Sequence, residues 1–238
     1  WIGAVWVLFR VKKILGWTFH IDLSEVCKLM IVGSDLFVRT GVLNLFSLLA
    51  MRKATQLGAD SGAANQAIRQ VWMFGTLVLD SYAVAGQSLV AYFFGAGRIH
   101  DARKVGEIVC FWGLGSGVAL AGIMWIGGGV VIDLLVPPSA VSLFNSAWLI
   151  VVMVQPVNAL AFATDGIHWG TGDYRYLRNA VLLATCIGAL GLFLVPHSLN
   201  WVWIMTDIWI GVRATMGMVR IWPGMGKSPL RFESQKTG

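Results

Sequence analysis

Charge is scarce in this chain: only 13% of its 238 residues are Asp, Glu, Lys or Arg, about half the share of an ordinary soluble domain. Cysteine is limited to 3 residues and proline to 6. Cys27, Cys110 and Cys186 are dispersed and form no CxxC pair, which argues against a zinc site or a disulfide framework and leaves them as small apolar residues. No Ser/His pair in a Gly-x-Ser-x-Gly context, no HExxH and no recognised pair of protease aspartates is present, so no enzyme is expected. The segment Gly224-Met225-Gly226-Lys227-Ser228 has the ending of a phosphate-binding loop, but Ile221 stands where the first glycine belongs and no strand precedes it. There is no short-period repeat, and no signal peptide with a cleavage site, so no helix is expected to be removed. No metal or cofactor is expected.

What remains is apolar. Hydrophobic residues make up 57% of the chain, with 12 Trp, and the mean hydropathy is +0.71. This is the composition of a chain whose solvent is a bilayer. Runs of about 20 apolar residues predict an all-α, polytopic bundle of six transmembrane helices at roughly 31–51, 68–94, 105–132, 142–168, 178–196 and 200–222. Gly95-Ala96-Gly97, Pro137-Pro138, Gly170-Thr171-Gly172 and Pro196 punctuate them. Residues 1–9 are too short to cross and read as the end of a truncated helix. Residues 10–30 read as a cytoplasmic linker whose mixture of Trp17, Phe19, Ile21 and Leu23 with Asp22, Glu25 and Lys28 suits an interfacial helix. Asp22 or Ser24 is placed to cap it. Residues 31–222 form the six-helix lobe, and 223–238 a polar, mobile cytoplasmic tail.

Lys and Arg concentrate in short cytoplasmic loops, which fixes the orientation. With the first fragment ending inside, the inner segments carry thirteen of the 18 basic residues and the outer segments only Arg52, Lys53 and Arg69. Arg39 and Arg213 fall within spans. The basic character of the chain is thus a signature of topology and of contact with anionic membrane lipid, not of nucleic acid.

An ionisable group inside a bilayer costs roughly 2.5 to 3.5 kcal/mol even on lenient scales, so it faces a cavity or a partner. Asp35 and Arg39 lie four apart on one face of the first span and can neutralise each other across a turn. On that pairing, Asp35→Asn strands Arg39. In the second span Asp80 and Gln87 share a face. In the fourth, Gln155, Asn158 and Asp165 follow one another beside Pro156, which removes a backbone hydrogen bond and bends the helix, as in the broken helices of transporters. Asp165 becomes the expected titrating group, with His168 one turn on as modulator. Its change to Asn is expected to impair coupled efflux and spare insertion. Asp207 and Arg213 share no face and are left outside the site. Gly113, Gly115, Gly117, Gly122 and Gly127 to Gly129 read as small-residue packing faces.

Residues 36–40, Ala63-Ala64-Asn65-Gln66, the run from Asp80 through Gln87, Phe94-Gly95-Ala96-Gly97-Arg98, Gln155-Pro156 through Asp165-Gly166 and Arg178-Asn179-Ala180 together make the chain similar to the multidrug and toxic compound extrusion family, in its DinF-like branch. The resemblance implies the carboxy-terminal lobe of a two-lobe antiporter of the plasma (inner) membrane. Such a protein exports drugs, metabolites or small organic, especially cationic, substrates in exchange for H+ or Na+ by rocking its lobes about a central cavity. An amino-terminal six-helix lobe would be its partner. The matching positions imply Asp35, Arg39, Gln66, Asp80, Gln87, Asn158 and Asp165 as the polar pathway. Gln87 stands where branch members often carry an acid. A lipid or oligosaccharide flippase, and a membrane scaffold that transports nothing, are the alternatives.

Overall fold

The computed structural model describes residues 3, 5–7, 9–10, 22–194, 198–222 and 226–231. By compactness the chain falls into two units, Trp1–Ser34 and Asp35–Gly238. In the first, residues 5–7 and 9–10 are helical, and most of the expected linker, with Trp17 and Phe19, lies outside the described residues. From Leu23 onward there is no separate interfacial helix: Leu23 opens α1 (Leu23–Gln56), which continues through the first span. Asp22 is its cap, its Oδ1 accepting from the Ser24 amide at 2.8 Å.

In the second unit α1 is followed by α2 (Ala59–Gly95), α3 (Ile99–Leu135), a single turn at Pro138–Ala140, α4 (Val141–Met153), α5 (Gln155–Thr171), α6 (Tyr174–Leu194) and α7 (Leu199–Ile221). Among the described residues five helices are long and apolar enough to cross a membrane, and Pro138–Met153 with Gln155–Thr171, bent by 47°, makes six when the pair is taken as one broken span. The bend falls at Val154, just before Pro156. A proline is tolerated in the first turn of a helix, where its missing N–H has no partner to lose, so Pro156 starts α5 rather than kinking a continuous rod. The Val151 carbonyl beside the break is taken up by the Gln155 side-chain amide at 2.9 Å.

Contacts between helix ends group them as the alternation of spans requires. Arg103 near the start of α3 donates to the Trp222 carbonyl, just past the end of α7, at 3.0 Å. At the opposite end Ser139, after α3, donates to Asp60, at the start of α2, at 2.7 Å. Arg103 and Pro137 are therefore at opposite ends of α3, which at 1.5 Å per residue is about 56 Å long; His197 lies outside the described residues. Apolar side chains such as Phe111, Trp125 and Ile126 point outward from α3, as a lipid-facing helix requires.

Lipid gives apolar helices no hydrophobic reason to associate, so close approach depends on small residues. The glycine faces divide accordingly. Gly113 meets Ala163 of α5, Gly117 meets Ala159, Gln155 and Pro156, and Gly128 meets Trp148 of α4, while Gly115, Gly122, Gly127 and Gly129 have open space beside them. Gly75 and Gly86 of α2 receive Leu120 and Val109 of α3. Deeper still, Gly166 of α5 lies on the backbone of Ala83, and Gly170 on that of Gln87. The central α5 is thus locked between α2 and α3.

Candidate functional site

Between α1, α2, α5 and α7 lies a cavity of about 370 Å³. On α2 its wall is the stripe Trp72, Thr76, Asp80, Ala83 and Gln87, and on α1 Arg39, Leu43 and Ser47; both repeat every three to four residues, as one helical face must. Phe162, Asp165 and Trp169 enter from α5, and Trp209 and Arg213 from α7.

Asp165 is the electrostatic centre. Its Oδ2 accepts from Arg39 of α1 and from Arg213 of α7 at 2.7 Å. All three side chains are buried, the residues being 7–8% exposed. Each guanidinium also rests on an indole face: Arg39 is 5.3 Å from the centroid of Trp169 and Arg213 is 4.7 Å from that of Trp209, favourable geometry for cation–π attraction. A buried carboxylate gathered by two buried cations is costly to dismantle, because removing it leaves uncompensated charge. Asp80 is placed differently. It is exposed at the cavity wall within electrostatic reach of Arg39, and among the described residues its carboxylate has neither a hydrogen bond nor an ion pair.

The local Asp35–Arg39 pair expected from spacing does not form. Arg39 turns to Asp165, and Asp35 binds Arg178 at the start of α6, with Arg175 at 3.9 Å. The reason is depth: Arg39 lies in the buried middle, where Asp165 is within hydrogen-bond reach, while Asp35 is one turn nearer the basic end, where α6 begins. Arg213, set outside the site on the sequence, is one of its two cations. Its signal was present, since an arginine within an apolar span and without a partner on its own face must find one across helices.

Of the residues singled out from the sequence, Arg39, Asp80, Gln87 and Asp165 line the cavity, and Asp35, Gln66, Asn158 and His168 do not. Gln66 is exposed near the start of α2. Asn158 is fully buried, on the α5 face of Phe162 and Asp165 but nearer the helix break, where it donates a long 3.5 Å bond to Gln155. His168 belongs to a second polar cluster. Its Nε2 lies 3.3 Å from the Gly217 carbonyl and its Nδ1 is 3.8 Å from Asp173, which Arg220 holds at 2.8 Å. Gly172, at φ 73°, makes the left-handed turn that ends α5 and sends Asp173 back toward α7. Among the described residues no three His, Cys, Asp or Glu side chains gather as metal ligands.

A multi-pass membrane bundle with a polar, aromatic-lined cavity among its helices has the construction of a membrane carrier's lobe. The chain belongs to the multidrug and toxic compound extrusion family: the MatE profile matches residues 37–194. Protein DETOXIFICATION 42 of Arabidopsis thaliana is 30% identical over 213 residues, covering 87% of this chain and 41% of that protein. The chloroplastic Protein DETOXIFICATION 44 of the same plant is 30% identical over 187 residues, covering 78% of this chain and 35% of that protein. A MOP superfamily transporter from Pyrococcus furiosus shares the fold with a TM-score of 0.75 at 16% identity, over 83% of this chain and 45% of that one. The chain thus spans less than half the length of these proteins.

Proposed function

We propose that this chain is the carboxy-terminal lobe of a DinF-like secondary antiporter of the plasma membrane. It exports small organic ions, cations foremost, in exchange for H+ or Na+, and an amino-terminal six-helix lobe covers its cavity. The observation that carries this reading is the contrast between two acids on one cavity: Asp165 is neutralised by Arg39 and Arg213, whereas Asp80 stands exposed with no hydrogen bond or ion pair among the described residues. An unclamped carboxylate can accept a proton, a sodium ion or an organic cation in turn. Antiport requires that the two ligands exclude each other and favour different states of the carrier; competition for one carboxylate supplies the exclusion, and the change of charge between a protonated Asp80 and one paired with a cation supplies a basis for the preference. The coupling role therefore falls to Asp80, with Gln87, two turns further along the same face, as a neutral polar contact for the substrate. The Asp165 clamp holds α1 and α7 to α5 and shapes the cavity. A volume of about 370 Å³ falls within the range of small-molecule sites, which favours a small solute over a lipid-linked oligosaccharide.

The test is efflux of a cationic dye from liposomes containing the full-length protein under an imposed proton or sodium gradient. Asp80→Asn is expected to abolish gradient-driven efflux while leaving purification yield and unfolding temperature unchanged. Undiminished driven efflux by that variant would overturn the assignment.

A further inference from the structure

The basic, cytoplasmic end carries a second concavity, which shares no lining residue with the first. About 820 Å³ in volume, it lies between the start of α3 and the segment after α7, and Arg98, Asp101, Lys227, Ser228 and Arg231 are on its wall. The segment after α7 was expected to be a mobile tail, yet its described residues are fastened down. Leu230 is buried at 1% exposure against Ile221 and other apolar residues of the core, Arg220 donates to the Lys227 carbonyl at 2.9 Å, and Arg103 donates to the Leu230 carbonyl at 3.4 Å. The wall is therefore preformed.

Three features of this wall point to the same ligand. First, α3 begins here with Arg98 at the N-cap, which offers no side-chain acceptor to the first-turn amides; a helix start of this kind attracts anions. Second, the acid in the lining, Asp101, is occupied by Arg98 at 2.6 Å, while Lys227 and Arg231 add two cations with no acid of the lining paired to them. Third, the Ser228 hydroxyl is buried, its residue only 9% exposed, and it has no hydrogen-bond partner. A buried hydroxyl without a partner costs free energy unless a ligand completes it. Gly226, at φ 66°, turns the chain immediately before Lys227 and Ser228.

We propose that this concavity binds an anionic phosphate group, presented by a lipid of the cytoplasmic leaflet or carried by a soluble phosphate compound. Ser228 donates its hydroxyl to a phosphate oxygen, Lys227 and Arg231 supply countercharge, and the α3 amides face the anion. The ending Gly226-Lys227-Ser228, set aside as a nucleotide loop for want of a strand, takes up phosphate through an irregular turn packed against a helix start.

The experiment follows the unfolding temperature of the detergent-solubilised, delipidated full-length protein, which rises with any ligand that binds the folded state. Phosphatidylglycerol, phosphatidylcholine, glycerol 3-phosphate and inorganic phosphate are titrated separately. Stabilisation by phosphatidylglycerol alone assigns the site to lipid, and stabilisation by the soluble phosphates as well assigns it to free phosphate. In either case Lys227→Gln with Arg231→Gln is expected to weaken binding about thirtyfold, and Ser228→Ala about tenfold. Arg52→Gln with Lys53→Gln, at the other membrane face, is expected to leave binding unchanged. Equal stabilisation by phosphatidylcholine and phosphatidylglycerol, no response to any of the four, or a Lys227/Arg231 variant that binds like the wild type would overturn the proposal. None of these readouts depends on transport, so the two readings fail separately.

Discussion

Helices α2, α3 and α5 meet at glycines, whereas the stretch of α1 in the second unit meets its neighbours through the ends of long side chains. On the first side Gly117 would bring a Cβ within 2.8 Å of Pro156 and Gln155, so the backbones themselves are in contact. On the second, α1 reaches α5 through Arg39, α6 through Asp35 and α7 through Phe46, whose ring stacks on Trp209 at 4.6 Å. The cavity exists because of this difference: one wall is fused at the backbone, the other held off by charged and aromatic spacers. A fused wall is a frame. A wall held by a few ion pairs is the one that can shift when the charge in the cavity changes.

The comparison breaks most visibly at Asp165. Asp165→Asn strands two buried guanidiniums, and loss of one member of such a buried network costs about 3 to 5 kcal/mol; a sharp fall in yield and unfolding temperature is expected, contrary to the intact insertion that the sequence alone led one to expect. A variant as stable as the wild type would show the clamp to be ornamental. Next in size is the frame itself. Gly166→Val drives side-chain atoms into the Ala83 backbone and is expected to cost about 1 to 3 kcal/mol, while Gly115→Ala, with nothing beside it, is expected to be neutral or stabilising; equal effects at the two would erase the distinction between packed and free glycines. The smallest effect belongs to Asp35→Asn. Asp35 is buried, but Asn keeps its size and an oxygen that accepts from Arg178, which is 31% exposed in its side chain and recovers water, so the cost is expected to be about 1 kcal/mol, seen as a slight drop in unfolding temperature with cavity chemistry intact.

The bundle was legible in the sequence because each span needs only its own residues to declare itself: apolar length, and Lys or Arg at one end. The break near Pro156 was legible for the same reason. Partner choice was not. Arg39 and Asp165 are 126 residues apart, and nothing local could rank Asp165 above Asp35, which sits one turn away on the same helix. Arg213 was passed over because it shares no face with Asp207, and its true partners lie on α5 and on its own Trp209. Asp80 and Gln87 were found because both lie on a single helical face, a relation that survives without tertiary structure. Gln66 rests on motif likeness, which identifies a segment and says nothing of the direction its side chains take, and Asn158 rests on its spacing from Asp165, which gives a helical face and not how far along that face the cavity extends.

Helices α2 and α3 have 37 residues each, about 56 Å at 1.5 Å per residue, against a hydrocarbon core about 30 Å thick. Ordinary tilts do not absorb the surplus, so the rods stand proud of the bilayer and work as levers. Pivoting such a rod by about 10° around its midpoint sweeps each tip through about 5 Å. Thr76 and Asp80 lie close to that midpoint, so a tilt of the frame as a whole moves the ends of α2 while leaving this stretch of the cavity wall almost in place.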